Sequence, residues 1–270
     1  MYHFDTIIKH IGVVSKKILY FPVNFNMADG YAYDKRAADG KGFMHGIAID
    51  AVIFGFHDRQ LKVLLLEYSL AGIFALPGGF IREKENVNDA ALRVVRERTG
   101  LRDIFLDQFY VFGDYSRFDN QPLKAIMKAG GTVYDEDHWL LQRFITVGYY
   151  ALVDFTKAVP MPDEESDICR WYDMDAIPPL IQDHQQIIEK ALNTLQDNLD
   201  NKLIGFNLLP EYFTIAELQA VYETILGKKL LRTVFQRKML GLGILERVAK
   251  KHTGRAHKAP YLYRFVSKPA

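Results

Sequence analysis

The sequence has a single cysteine, Cys169, in 270 residues, so it cannot form an internal disulfide. No apolar run reaches the roughly 18 residues that a membrane-spanning helix needs. The N-terminal stretch lacks an apolar block followed by a small-residue cleavage site, the pattern of a secretory signal. We therefore expect a cytoplasmic protein without membrane segments, and nothing around Cys169 indicates a metal site.

Acidic residues are scarce near the C-terminus, where Glu246 is the only one after Gly227. From Leu203 onward there are 12 Lys and Arg against 4 Asp and Glu, whereas the rest of the chain holds 22 against 29. The net charge of +1 thus hides a basic C-terminal block on an acidic body. Because the bias persists through apolar core positions, it favours a polyanionic partner over a merely solvated face.

The length of the chain favours two domains. Residues 1–44 lack sustained periodicity and are interpreted as an N-terminal extension. Residues 45–202 predict an α+β sandwich, a mixed sheet with a helix on each face, and residues 203–270 predict a smaller domain. Segments rich in β-branched and aromatic residues predict strands, the first two forming a hairpin, at 47–56, 61–69, 103–114, 143–155 and 168–180. The intervening segment 116–142 is interpreted as a long loop near the mouth of a site.

A helix is predicted near the C-terminal end of the larger domain. Asp183 is its expected N-cap, with Gln186 three residues later. Its apolar face would consist of Ile188, Leu192, Leu195 and Leu199. The capping role accounts for Asp183 and leaves His184 without a predicted function, so a metal site at this pair is not expected.

The segment "LPGGFIREKENVNDAALRVVRERTGL", residues 76–101, predicts the second helix of this domain. Asn88 is a possible N-cap, Ala91 and Val95 repeat at helical spacing, and Gly100 supplies a left-handed stop. Five residues of this segment have the spacing of the Nudix box, which the segment resembles. They are Gly79, Glu85, Arg93, Glu97 and Gly100. The resemblance implies the Nudix α/β/α sandwich, whose enzymes hydrolyse nucleoside diphosphate derivatives with Mg²⁺ held by glutamates on this helix.

The box departs from the family pattern at two glutamate positions, which here hold Val94 and Arg98. A hard divalent cation needs several carboxylate oxygens on one helix face, so Glu85 and Glu97 alone make a poor magnesium site. No catalytic residue, metal or cofactor is therefore expected. In one interpretation the box only shapes the fold, Gly79 allowing a tight turn and Arg93 pairing with Glu97. In the other, the cleft binds a ligand without cleaving it, and Arg98 faces an anion.

Candidate ligand-binding residues lie on the box and on the segment "FGDYSR" beyond the third strand. They are Phe80, Arg82, Arg98, Tyr115, Arg117 and Asp119. Each is equally consistent with an ordinary surface role, and the aromatic strand "FITVGYYALV" is interpreted as core.

The basic C-terminal block predicts a winged helix-turn-helix. Thr214 and Glu217 form a capping box, and Gly227 ends that helix. A second helix, at about 231–240, would keep Val234, Phe235 and Met239 for the core, and a hairpin with a basic tip follows. Residues predicted to contact DNA are Arg232, Thr233, Gln236, Arg237, Lys238, Lys250, Lys251, Arg255, His257 and Lys258. A small interaction domain with a solvated basic face is the alternative.

The whole chain resembles the Nudix-related bacterial transcriptional regulators, most specifically in "FNLLPEYFTIAELQAVYE". The resemblance implies a homodimer that binds double-stranded operator DNA and releases it when a small-molecule effector, a sugar or ADP-ribose, binds. The N-terminal extension and residues 119–142 have no counterpart in this resemblance. Two other hypotheses remain: a Mg²⁺-dependent Nudix hydrolase with an accessory basic domain, and a catalytically silent RNA-binding protein.

Overall fold

The computed structural model describes residues 42–102, 104–156, 158–161, 168–199, 208–251 and 259–266. The strands are β1 Phe43–His57, β2 Gln60–Tyr68, β3 Ile73–Ala75, β4 Gly78–Arg82, β5 Asp107–Phe112, β6 Ile145–Asp154, β7 Ile168–Asp173, β8 Phe213–Thr214, β9 Leu245–Lys250 and β10 Tyr261–Phe265. The α-helices are α1 Val87–Thr99, α2 Gln121–Ala129, α3 His184–Asp197, α4 Ile215–Leu226 and α5 Arg232–Gly241. The predicted N-terminal extension 1–44 lies almost wholly outside the described residues.

The larger domain is built on a mixed sheet, as predicted, and this sheet has seven strands among the described residues, two more than predicted. Its main order is β3-β2-β1-β6-β5, with β4 paired to β1 and β7 paired to β2. Only the β1 and β6 pairing is parallel among the described strands. The predicted hairpin is confirmed: β1 and β2 meet at the pair His57 and Gln60.

Strand β1 supplies both faces of the core because successive side chains of a strand point in opposite directions. Ile49, Ala51 and Ile53 lie in the apolar clusters that include the buried face of α1. Val52 and Phe54 lie in the cluster that includes the buried face of α3. One helix therefore covers each face of the sheet, and the Nudix-type sandwich predicted from the sequence is confirmed.

The C-terminal domain has the predicted winged-helix order. Thr214 and Glu217 form the predicted capping box, and Gly227 ends α4 in the left-handed region with φ 64°. Strand β8 precedes the two helices and pairs with β10 of the hairpin that follows them, which gives a three-stranded sheet of order β8-β10-β9. The domain packs on α3: Tyr222 Oη donates to the Leu199 carbonyl at 3.0 Å, and buried side chains of both domains share one apolar cluster. Among the described residues, no helix is long and apolar enough to span a membrane.

Three local predictions were wrong. Helix α1 begins two residues earlier than predicted, with Asn86 as N-cap, and the Asn88 side chain instead accepts a hydrogen bond from Tyr149 Oη at 2.5 Å. The segment 116–142 is not a plain loop, since it contains α2 and a short 3-10 turn at 139–141. Val234 is 49% exposed, because residue 234 faces away from the side of α5 that buries Phe235 and Met239.

Candidate functional site

Arg93 binds the two glutamates retained from the Nudix box, Glu85 before α1 and Glu97 on it. Its Nε and Nη2 donate to the two carboxylate oxygens of Glu85, each at 2.7 Å, and its Nη1 donates to Glu97 Oε2 at 2.8 Å. Nη2 also donates to the Phe80 carbonyl at 2.7 Å, which ties α1 to β4. Despite the opposing effect of burial, hydrogen bonds from Arg93 and from the Arg82 backbone hold the pKa of Glu85 below its ordinary value. The predicted Arg93 and Glu97 pair is confirmed, and both glutamates serve structural contacts.

The two altered positions remove the rest of a metal site. Val94 is 2% exposed and packs on Gly79, where an added Cβ would meet Val94 Cγ2 at 2.8 Å. Gly79 is therefore required by the close approach of β4 and α1, and not by a tight turn as predicted. Arg98 Nε donates to the Gly78 carbonyl at 2.9 Å.

These residues do not fit a magnesium ion. The donor set has two carboxylates, and both already accept hydrogen bonds from Arg93. Within the described ranges, no group of three His, Cys, Asp or Glu is arranged to hold a metal. The arrangement presents cations and backbone groups, which suit an anionic ligand.

Phe80 belongs to an aromatic cluster beside this helix. Its ring lies 4.7 Å from the Trp139 ring centroid and 5.1 Å from that of Phe144, while Phe43 stacks on Trp139 at 5.9 Å. Sequence reasoning missed Trp139 because it lies in the segment interpreted as a loop. A tryptophan within a polar segment was the available signal.

Three other predicted ligand contacts are Arg82, Tyr115 and Asp119. Arg82 Nη2 lies 3.5 Å from Glu97 Oε1, and Arg82 Nε is buried without a hydrogen-bond partner among the described residues. Tyr115 is 76% exposed, and its ring faces the Arg143 guanidinium at 5.4 Å. Asp119 Oδ1 accepts from the Gln121 backbone N–H at the start of α2, at 3.0 Å.

Arg117 occupies a buried ionic network instead of an exposed cleft. It is 8% exposed, and its Nε and Nη2 donate to the two carboxylate oxygens of Asp183 at 2.9 and 3.0 Å. Its Nη1 donates to the Phe144 carbonyl at 2.7 Å, and Nη2 lies 3.7 Å from Asp50 Oδ2. Arg117 therefore anchors the Tyr115 segment to the start of α3. Asp183 precedes α3, but its carboxylate makes no capping hydrogen bond because Arg117 binds it.

His184, left without a role by sequence reasoning, completes this network. Its Nδ1 accepts from the Leu76 backbone N–H at 2.9 Å, and its Nε2 lies 3.7 Å from Asp50 Oδ1. Asp50 was also missed. A lone carboxylate within the apolar run "IAIDAVIF" was the signal that could have identified it.

We expect His184 to make stability depend on pH. Burial lowers the pKa of its imidazole below 6.5, although Asp50 and Asp183 oppose the shift. Protonation of His184 then favours the unfolded chain. The contribution of His184 to the free energy of unfolding is fully present above pH 6.5 and is lost as the pH falls from 6.5 toward the lower pKa of the folded state. Urea midpoints of the wild type and of His184→Asn at pH 7 and pH 5 measure this. The variant should lose less stability on acidification, whereas His45→Asn, at an exposed position, should behave as the wild type; equal losses in all three would contradict the assignment.

The predicted DNA-contacting residues of α5 lie on its outer face. Arg232, Thr233, Arg237 and Lys238 are exposed, and Gln236 is half-buried. On the wing, Lys250 is exposed, and Lys251 Nζ lies 3.0 Å from Glu217 Oε1. Arg255, His257 and Lys258 lie outside the described residues. Arg247, which was not predicted, adds an exposed cation whose guanidinium stacks on the Tyr261 ring.

Family models match both parts of the chain. The NUDIX domain matches residues 44–192, and the NrtR DNA-binding winged helix domain matches residues 205–265. The chain is 28% identical over 252 residues to the ADPR responsive transcriptional repressor NtrR of Acinetobacter baylyi, covering 90% of each chain. It is 24% identical over 151 residues to an ADP-ribose pyrophosphatase of Methanocaldococcus jannaschii, covering 54% of this chain and 73% of that enzyme.

Solved structures give the same result. Shewanella oneidensis NrtR is 30% identical, with a TM-score of 0.57 and coverage of 81% of this chain and 93% of that chain. The same protein complexed with a 27mer DNA has a TM-score of 0.58 at the same identity and coverage. The chain therefore belongs to the NrtR family of transcriptional regulators, in which a NUDIX domain precedes a DNA-binding winged helix domain.

Proposed function

We propose that this protein is a transcriptional repressor that binds operator DNA through its winged helix and releases it when ADP-ribose binds its Nudix domain. One observation carries the proposal. The Nudix box keeps its spacing, but Arg93 binds both of the remaining glutamates and Arg98 stands where a metal ligand would be. Such a site can hold a nucleoside diphosphate without the cation that would help to cleave it. The name of the Acinetobacter baylyi relative supports ADP-ribose as the effector.

The proposed effector site is formed by Phe80, Arg82, Arg98, Tyr115 and Asp119. Arg82 and Arg98 supply positive charge for a diphosphate, and the buried Arg82 Nε is a donor that a ligand oxygen could satisfy. The aromatic cluster around Phe80 offers a surface for an adenine ring. A plain pentose lacks the phosphates that these cations would bind, so the residues favour ADP-ribose over a sugar. Arg117, being buried, positions the Tyr115 segment.

The proposed DNA reader is the exposed face of α5, assisted by the wing. Arg and Gln side chains on a recognition helix can reach base edges in the major groove. We infer that the protein is a homodimer, because a two-fold dimer places two such helices on the half-sites of a palindromic operator. As a DNA-binding regulator it would act in the cytoplasm. ADP-ribose can lower DNA affinity only if it prefers the dimer arrangement that fits the operator less well.

A direct test selects duplexes from a random pool with the purified protein and measures retardation at two salt concentrations. ADP-ribose, NAD and a panel of pentoses are then added in turn. We expect specific retardation that ADP-ribose relieves. Relief by a pentose alone would replace the effector, and failure to select any duplex would overturn the proposal.

The alternative function is Mg²⁺-dependent hydrolysis of ADP-ribose, which the similarity to the Methanocaldococcus jannaschii enzyme keeps open. The same preparation is incubated with ADP-ribose and Mg²⁺, and products are separated by chromatography. Sustained turnover that is lost in Glu97→Gln would establish the hydrolase. We expect no turnover, because Glu97 is paired with Arg93 and Arg82.

We expect Arg237→Ala to weaken operator binding by about 1–3 kcal/mol, with relaxed preference at one base position. Arg237 is exposed on the outer face of α5, one turn after Thr233. Titration of the selected operator and of its single-base variants measures both effects. Lys128→Ala, which removes an exposed cation from the end of α2, is the matched control and should bind as the wild type. If Arg237→Ala binds the operator with wild-type affinity, Arg237 does not contact a base.

A further inference from the structure

A basic groove lies where the Nudix domain meets the winged helix. Its walls are the turn between β1 and β2, which carries Arg59, and the turn between α4 and α5, which carries Lys228 and Lys229. The groove has a volume of about 210 Å³ and is open to solvent. Among the residues that the structure describes, Glu223 is the only acidic one that lines it.

Two of the three cations line the groove and have no counterion within the described part of the chain. Arg59 and Lys228 are exposed and form no ion pair with any residue that the structure describes. Lys229, in contrast, lies with its Nζ 3.1 Å from Glu223 Oε2. The groove therefore has a positive surplus that an anionic partner can neutralise.

Both walls hold these cations in defined positions. Asp58 and Arg59 have φ of 42° and 62°, the pattern of a two-residue hairpin turn in which both central residues are left-handed. On the other wall, Glu223 Oε1 accepts from the Leu230 backbone N–H at 3.0 Å and from Gln219 Nε2 at 2.8 Å. These contacts, the backbone hydrogen bond first, lower the pKa of Glu223 to about 2. These hydrogen bonds fix the turn that carries Lys228 in the absence of a ligand.

The turn that lines the groove leads directly into the recognition helix α5. Lys228 precedes Arg232, the first residue of α5, by four positions, so both side chains lie near the N-terminal end of that helix. In helix-turn-helix proteins this end enters the major groove, and the flanking segments meet the phosphate backbone.

We propose that the groove binds the operator's phosphate backbone, with Arg59 of the Nudix domain and Lys228 of the winged helix as phosphate contacts. The inference rests on the proposed function, and it extends the DNA interface from the reader onto the effector domain. Arg59 then contributes to affinity without contributing to sequence preference, since phosphate contacts carry no base information.

This interface gives the effector domain a direct part in DNA release. A phosphate held between the two turns requires one spacing of Arg59 and Lys228. A ligand that changes how the Nudix domain packs on the winged helix would change that spacing and lower DNA affinity, even if α5 itself kept its shape.

The salt dependence of binding tests the proposal. Operator affinity of the full-length wild type, Arg59→Ala, Lys228→Ala and the double variant is measured from 50 to 200 mM salt. Loss of one phosphate contact reduces the slope of log K against log salt by about 0.9. Raising the salt fourfold weakens operator binding, and this weakening should be about 3.5-fold smaller in each single variant than in the wild type. In the double variant the same factor should apply twice. Preference among operator variants should not change.

Lys128→Ala is again the charge-matched control and should keep the wild-type slope. Wild-type slopes in Arg59→Ala and Lys228→Ala, with normal operator binding by the wild type, would overturn the groove as a DNA contact while leaving the proposed function intact. A weaker affinity of Arg59→Ala for ADP-ribose, with an unchanged salt slope, would also overturn it and assign the groove to the effector. Failure of the wild type to bind any duplex would refute the proposed function instead.

Discussion

Replacing Arg117 by Met should destabilise the protein by about 3–5 kcal/mol, the usual cost of removing one partner from a buried ion pair. The substitution would leave the Asp183 and Asp50 carboxylates, 8% and 7% exposed, without the cation that faces them. It would also remove the donor to the Phe144 carbonyl and release the Tyr115 segment from α3. Urea unfolding followed by far-UV circular dichroism measures the change in the free energy of unfolding.

Two further variants separate the buried network from a general effect of charge. Lys124→Met removes a cation paired with the exposed carboxylate of Glu136 and should cost at most about 1 kcal/mol. The double variant Arg117→Met with Asp183→Leu should recover part of the stability lost in Arg117→Met, because one stranded carboxylate is gone. If Arg117→Met proves no more harmful than Lys124→Met, the network does not stabilise the fold.

Replacing Phe235 by Ala should cost about 3–5 kcal/mol of stability and abolish operator binding at ordinary protein concentrations. Phe235 is 4% exposed, and its ring meets Tyr222 edge to face at 5.1 Å. It is one of the two buried side chains that fix α5, and with it Arg232 and Arg237, to the rest of the domain. Urea unfolding and operator retardation measure the two effects.

Val234→Ala is the matched control, since Val234 is the neighbouring apolar residue and is 49% exposed. It should change the free energy of unfolding by no more than about 0.5 kcal/mol. A large loss of stability in Val234→Ala, with little loss in Phe235→Ala, would restore the sequence prediction that buried Val234 and would contradict the observed orientation of α5.

Regular elements with a strong pattern could be predicted from the sequence. The hairpin of β1 and β2, the helix ending at Gly100 and the capping box at Thr214 each follow from local rules of periodicity and capping. The exact start of α1 did not: Asn88, the predicted N-cap, instead accepts a hydrogen bond from Tyr149, 61 residues away in the chain. Helix α2 was missed for a different reason: its short sequence lies in a polar segment that reads as a loop.

In the candidate site, too, features that depend on a local motif could be predicted, and features that depend on contacts between distant segments could not. The replacement of two box glutamates by Val94 and Arg98 could be recognised from the sequence, because both residues stand at fixed positions of a spaced motif. That Arg117 joins a buried network was not, since its partners Asp50 and Asp183 come from β1 and from the start of α3. The groove between Arg59 and Lys228 could not be predicted from the sequence either, because it depends on how the two domains pack.

Because the two domains share one apolar cluster, we expect them to fold cooperatively. Val52 and Phe54 of the sheet, Ile188 and Leu195 of α3, and Phe235 of α5 all belong to it. Heat or denaturant should therefore melt effector domain and reader in a single transition, and neither should keep its stability when expressed alone. Because a ligand stabilises whichever cooperative unit it binds, bound DNA should raise the melting temperature of the effector domain as much as that of the winged helix.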